Sequence, residues 1–63
     1  MGKDWLVVWT YRTGERRYLV KQDGRFYWGD LAEATRFPDE EAALDFIDER
    51  VADGAPVTAE QER

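Results

Sequence analysis

The sequence predicts an α+β fold, a three-stranded antiparallel β-meander followed by one amphipathic α-helix packed on one sheet face. Three observations predict it. Aromatic and β-branched residues fill three short runs within residues 5–28, an Asp-Gly pair joins the second run to the third, and a 3.6-residue apolar period begins only after Phe37-Pro38-Asp39.

Trp5-Leu6-Val7-Val8-Trp9-Thr10-Tyr11 ends at Thr13-Gly14, which reads as a strand and then a turn. Arg16-Arg17-Tyr18-Leu19-Val20-Lys21 is a second strand. Asp23-Gly24 supplies the hairpin signal that leads into Arg25-Phe26-Tyr27-Trp28, the third. Gly29-Asp30 breaks that strand, and Asp30 with Glu33 resembles a capping box around a single helical turn over residues 31–34. Proline at position 38 turns Phe37 away from helix, and Asp39 is a good N-cap.

The main helix is expected over residues 40–52, stopped by Gly54 at the C′ position and Pro56 just beyond. At 100° per residue Ala43, Leu44, Ile47 and Val51 share a stripe, with Phe46 at its margin, so this stripe packs on the sheet. Residues 1–54 are expected to form the single ββ(β)α domain. Residues 55–63 hold too few apolar side chains to order themselves and read as a flexible tail, although Thr58 and Gln61 could cap a stray turn.

The 63 residues leave room for one domain, of a size that buries only about 60% of its unfolded surface and is stable by a few kcal/mol. Without Cys no disulfide supplements the core, so three Trp, three Tyr and three Phe must fill it. The chain also lacks His, Ser and Asn, which removes the usual nucleophiles, the commonest general base and the soft metal ligands. A non-enzymatic protein without cofactor or metal is the expectation. No apolar run approaches the ~20 residues that span a bilayer, and no signal-peptide pattern opens the chain, so a soluble protein of a bacterial cytoplasm is expected.

Charge is divided unevenly along the chain. Residues 1–36 hold seven Lys/Arg and five Asp/Glu, whereas residues 37–63 hold two and nine. Seven carboxylates (Asp39, Glu40, Glu41, Asp45, Asp48, Glu49, Asp53) fall within fifteen residues against Arg50 alone. At the rise of a helix this is about one charge per 3 Å, close to the ~3.4 Å phosphate spacing of one DNA strand. An acidic balance disfavours direct contact with nucleic acid or an anionic membrane and favours a basic protein surface as partner.

A solvated helix face explains Asp39, Glu40 and Glu41, which sit favourably at the positive end of the macrodipole. It does not explain Asp48, Glu49 and Asp53, which lie where the dipole favours cations. Glu41–Asp45, Asp45–Glu49 and Glu49–Asp53 are like-charge pairs at i,i+4, together costing roughly 1 kcal/mol. Repulsion on that scale in so small a domain points to use. Glu41, Asp45, Asp48, Glu49 and Asp53 are therefore the candidate partner-binding residues.

The first strand is apolar on both faces, with Trp5, Val7, Trp9 and Tyr11 on one and Leu6, Val8 and Thr10 on the other. One helix covers one face, and turn length does not fix which. The aromatic set Trp5, Trp9 and Tyr11 is either core or a surface patch flanked by Arg17, Lys21 or Arg25, available to a partner or a second copy. A basic and aromatic sheet face also suits single-stranded nucleic acid, but the net charge opposes this and no RNP-like sequence occurs.

Tyr18-Leu19-Val20, Asp23-Gly24-Arg25-Phe26, Ala34-Thr35-Arg36-Phe37 and Glu40-Glu41-Ala42-Ala43-Leu44-Asp45-Phe46-Ile47 together resemble many very small bacterial and phage proteins. In these a meander leads through an Ala-x-x-Phe step into one amphipathic helix. Size and acidity also resemble the anti-CRISPR proteins, phage-encoded inhibitors of bacterial CRISPR defence. That resemblance implies a monomeric or dimeric inhibitor that presents carboxylates to the basic channel where a surveillance complex receives DNA. A reading from a different class is a small structural or assembly module that dimerises through the Trp5/Trp9/Tyr11 face, its acidity serving solubility alone.

Overall fold

A computed structural model describes residues 4–62. Strands β1 (Trp5–Thr10), β2 (Arg16–Gln22) and β3 (Arg25–Gly29) form the expected antiparallel meander. Asp23 and Gly24 both take positive φ, 53° and 76°, as a two-residue hairpin of matching twist requires. Gln22 therefore faces Arg25, and the register continues through Val20 and Tyr27 to Tyr18 and Gly29.

The sheet has four strands, not three. β4 (Val57–Gln61) pairs antiparallel with β1 from Trp5–Gln61 to Trp9–Val57, giving the order β3-β2-β1-β4. The flexible tail expected over residues 55–63 is thus an edge strand in its described part, and Thr58 and Gln61 cap no turn. The reason lies in β1. A strand buried on both faces belongs in the sheet interior, and its second edge recruits Val57-Thr58-Ala59, whose Val57 and Ala59 join the core. Residues 1–3 of the expected domain and residue 63 of the expected tail lie outside the described residues.

The helix α1 (Glu40–Arg50) starts where the sequence places it. Asp39 is its N-cap, and Asp39 Oδ1 accepts from the Ala42 amide at 2.8 Å. It ends two residues before position 52. Val51 is already extended (φ −111°, ψ 136°), so Gly54 (φ 84°) serves the turn into β4 rather than a helix C′ position. Two differences follow: Asp53 lies beyond the helix, and the Glu49–Asp53 pair is not an i,i+4 helical pair.

Between β3 and α1 the chain crosses the sheet. A single 3-10 turn (Leu31–Glu33) forms where a turn is expected, but Asp30 makes no side-chain cap. Instead the Glu33 carboxylate accepts from the Tyr27 hydroxyl. Ala34 is then buried against Leu6 and Val8, with Tyr18 alongside. Past Val8 the ladder between β1 and β2 stops, and residues 35–37 occupy the gap. The Thr35 amide donates to the Leu19 carbonyl (2.8 Å), the Lys21 amide donates to Thr35 Oγ1 (2.7 Å), and Phe37 exchanges both main-chain bonds with Trp5 (2.8 and 2.9 Å). Phe37 emerges on the opposite face, where α1 lies.

Both faces of the sheet are therefore covered. Val7, Leu19 and Ala43 are fully buried on the helix side, packed by Trp5, Trp28, Phe37, Phe46, Ile47, Val57 and Ala59. Leu6, Val8 and Ala34 close the other side. The expectation that one face of β1 would lack intramolecular cover fails, because the crossing segment supplies it.

Candidate functional site

Glu41, Asp45, Asp48 and Glu49 project from the side of α1 opposite Ala43 and Ile47, and all four are exposed. Asp53 is exposed in the turn that follows and extends the acidic surface past the helix end. The seven carboxylates of residues 39–53 make no ion pair within the described residues. Asp39 caps the helix. The rest face water.

Three carboxylates elsewhere behave differently, whereas Asp4, Asp23, Asp30 and Glu33 also make no ion pair among the described residues. Glu60 pairs with Arg16 and Glu15 with Arg17. Glu62 takes a two-pronged contact from Arg36, at 2.7 Å from Nε and 2.8 Å from Nη2. Hydrogen bonding from Arg36, aided by its charge, holds the Glu62 carboxyl below the usual glutamate range. Glu60 of β4 and Glu62 just beyond it are thus committed to arginines of the basic half, while the carboxylates of α1 make no ion pair among the described residues.

No three carboxylates among the described residues converge closely enough to hold a metal ion. The acidic residues form an array along a surface rather than a chelating cluster.

Leu44 changes the character of this surface. The helical stripe assigns it to the core, yet it is 48% exposed, because α1 rests on Ala43, Phe46 and Ile47. It lies about 60° around the helix from Glu41 and about 40° from Asp48. With Ile47, Val51 and Val57 it floors a shallow groove of about 450 Å³ rimmed by Asp45, Asp48 and Asp53. The sequence analysis places it inside the stripe, and the signal it carries is the nearness of Glu41 and Asp48 around the helix.

The aromatic candidates are divided between core and surface. Trp5 packs under α1 beside Phe37. Trp9 stands edge-to-face against Trp28 at 5.3 Å and tilted against Tyr11 at 6.1 Å, and Tyr11 is 39% exposed. Trp28, absent from the sequence-based set, links this row to β2 through its register with Leu19. Of the flanking cations, Lys21 sits 5.6 Å above the Phe46 ring and Arg17 is engaged by Glu15.

Comparison with models of known protein families, with curated proteins and with solved structures returned no match. No helix among the described residues is long and apolar enough to cross a membrane.

Proposed function

We propose that the chain is a non-enzymatic inhibitor whose acidic helix occupies the basic nucleic-acid-binding surface of another protein. One observation carries this reading. Among the described residues the exposed carboxylates of α1 are matched to no cation and, unlike the scattered unpaired acids elsewhere, they lie close together along one helix face, while Glu15, Glu60 and Glu62 are each matched to an arginine. Glu41, Asp45, Asp48, Glu49 and Asp53 supply complementary charge, which steers encounter and excludes phosphate from the same site. Leu44 supplies an apolar anchor within the charged field, of the kind that gives an interface its desolvated centre.

The mechanism is competition without turnover. The resemblance to anti-CRISPR proteins makes a CRISPR surveillance complex, in a bacterial cytoplasm, the first target to test. Purified surveillance complex is mixed with target DNA in a gel shift, with and without the protein, at two salt concentrations. The expected outcome is loss of the shifted band at low salt and partial recovery at high salt, because screening shortens the reach of surface charge to about 10 Å at 0.1 M. The doubly substituted protein Asp45→Lys, Glu49→Lys should leave DNA binding intact. Inhibition that survives this double substitution, with circular dichroism unchanged, rules the acidic face out.

A further inference from the structure

We propose that β3 is the pairing edge of a homodimer, hydrogen-bonding antiparallel to β3 of a second copy about a two-fold axis at Tyr27. The backbone polarity of this strand follows from its hairpin. The closing pair Gln22–Arg25 and the pairs Val20–Tyr27 and Tyr18–Gly29 direct the main-chain groups of Arg25, Tyr27 and Gly29 toward β2. Those of Phe26 and Trp28 point outward, and among the described residues they bond to nothing else.

Sheet edges in monomers are usually blunted by proline, by charge or by a bulge. β4 follows this rule, starting directly after Pro56 and carrying Glu60. β3 does not. Its single charge, Arg25, sits at its first residue, no proline interrupts it, and Phe26 and Tyr27 are 42% and 44% exposed.

The occupant that fits is the same strand from a second copy. With the axis at Tyr27, Phe26 faces Trp28 of the copy and exchanges both main-chain bonds with it, and the symmetry repeats the exchange. Tyr27 faces Tyr27. Arg25 then lies across from Gly29 of the copy, on the side of the sheet shared by Arg25, Tyr27 and Val20. On that side Glu33 fills the space a side chain at Gly29 would take, its Oε1 2.5 Å from where a Cβ would stand.

The Arg25 side chain makes no hydrogen bond or ion pair within its own chain among the described residues, and the Glu33 carboxylate accepts only from the Tyr27 hydroxyl. Pairing the two edges brings Arg25 of each copy to Glu33 of the other. An unrelated extended peptide has no reason to offer both the aromatic match and this charge match. The axis runs through the sheet, so both copies of α1 lie on one side. Each packs chiefly over β1 and β4 and reaches the seam strand through Phe46, which stands edge-to-face against Phe26 at 5.4 Å. The pairing does not depend on the inhibitory reading of those faces.

Sedimentation equilibrium of the full chain over a wide dilution series tests the proposal. Expected is a reversible monomer–dimer equilibrium, weakened roughly tenfold or more by Arg25→Glu because the symmetry removes two ion pairs at once. Adding Glu33→Lys to Arg25→Glu should restore much of the loss. In the native protein, amide exchange at Phe26 and Trp28 should slow as concentration rises. A protein monomeric at every concentration overturns the proposal. So does a dimer that is indifferent to Arg25→Glu but lost in Trp9→Ala, or exchange at Phe26 and Trp28 that ignores concentration.

Discussion

Helix α1 and strand β4 both come from the acidic half of the chain, yet they are attached to the sheet by opposite means. α1 is held by side chains. Ala43, Phe46 and Ile47 meet Val7, Leu19 and Phe37, and apart from the Asp39 cap none of its carboxylates takes part. β4 is held by its ladder to β1 and by carboxylates, its own Glu60 on Arg16 and Glu62 just after it on Arg36. The same residue type therefore fastens one segment and is displayed by the other. Under the proposed function, the charge not needed for attachment is the charge that meets the partner.

The largest test of this contrast is Leu19→Ala. Leu19 is fully buried at the centre of the helix-side core, and removing a buried leucine side chain to alanine typically costs 2–5 kcal/mol. In a domain of this size that is most of the stability. Denaturant titration followed by circular dichroism should show helix and sheet lost in one transition. A helix signal that outlasts the sheet would mean that α1 does not depend on that core.

Next in size is Asp39→Ala. Its carboxylate satisfies the Ala42 amide at the helix start, and losing such a cap costs about 1 kcal/mol. The first turn of α1 should exchange its amide protons faster while β4 stays protected. Equal loosening of both segments would erase the distinction between them.

How much of this was legible in the chain differs for the two segments as well. β1 to β3 and the start of α1 follow from local signals: alternating side chains, Asp23-Gly24, and Asp39 after a proline. β4 does not, since Val57 and Ala59 are its only apolar residues and its order is imposed by a partner 50 residues away. A clue was present in β1, whose two apolar faces mark an interior strand in need of a neighbour on each edge. The crossing at residues 35–37 was hidden for the same reason, because its hydrogen bonds go to Trp5, Leu19 and Lys21. Acidic candidates could be read directly, since charge on a helix surface needs no tertiary contact. Leu44 and Trp28 could not, because their roles depend on how the helix sits and which strands align.

A smaller effect, of opposite sign, is expected from Asp45→Lys. Glu41–Asp45 and Asp45–Glu49 are repulsive i,i+4 pairs inside α1, and relieving both repulsions is worth roughly 0.5–1 kcal/mol. The variant should melt slightly higher than the native protein and bind its target less well. A lower melting temperature would mean that Asp45 has a structural task, and the division between fastening and displayed carboxylates would fail at that residue.

The smallest effect is local and depends on pH. Glu62 titrates lower when folded than when unfolded, so Arg36–Glu62 contributes its full share above the ordinary glutamate range near pH ~4.3 and loses it as pH falls through the depressed folded value. The contact is on the surface, where such pairs contribute little, so the melting temperature of the whole domain should barely register it. Amide exchange at the end of β4 should, because the Glu62 amide donates to the Asp4 carbonyl in the last bond of the ladder. Exchange there should accelerate on acidification ahead of exchange in α1, and Arg36→Ala should reproduce the acceleration at neutral pH. If the variant instead keeps β4 as protected as before, the ladder to β1 holds the strand alone, and its carboxylates belong with those of the helix.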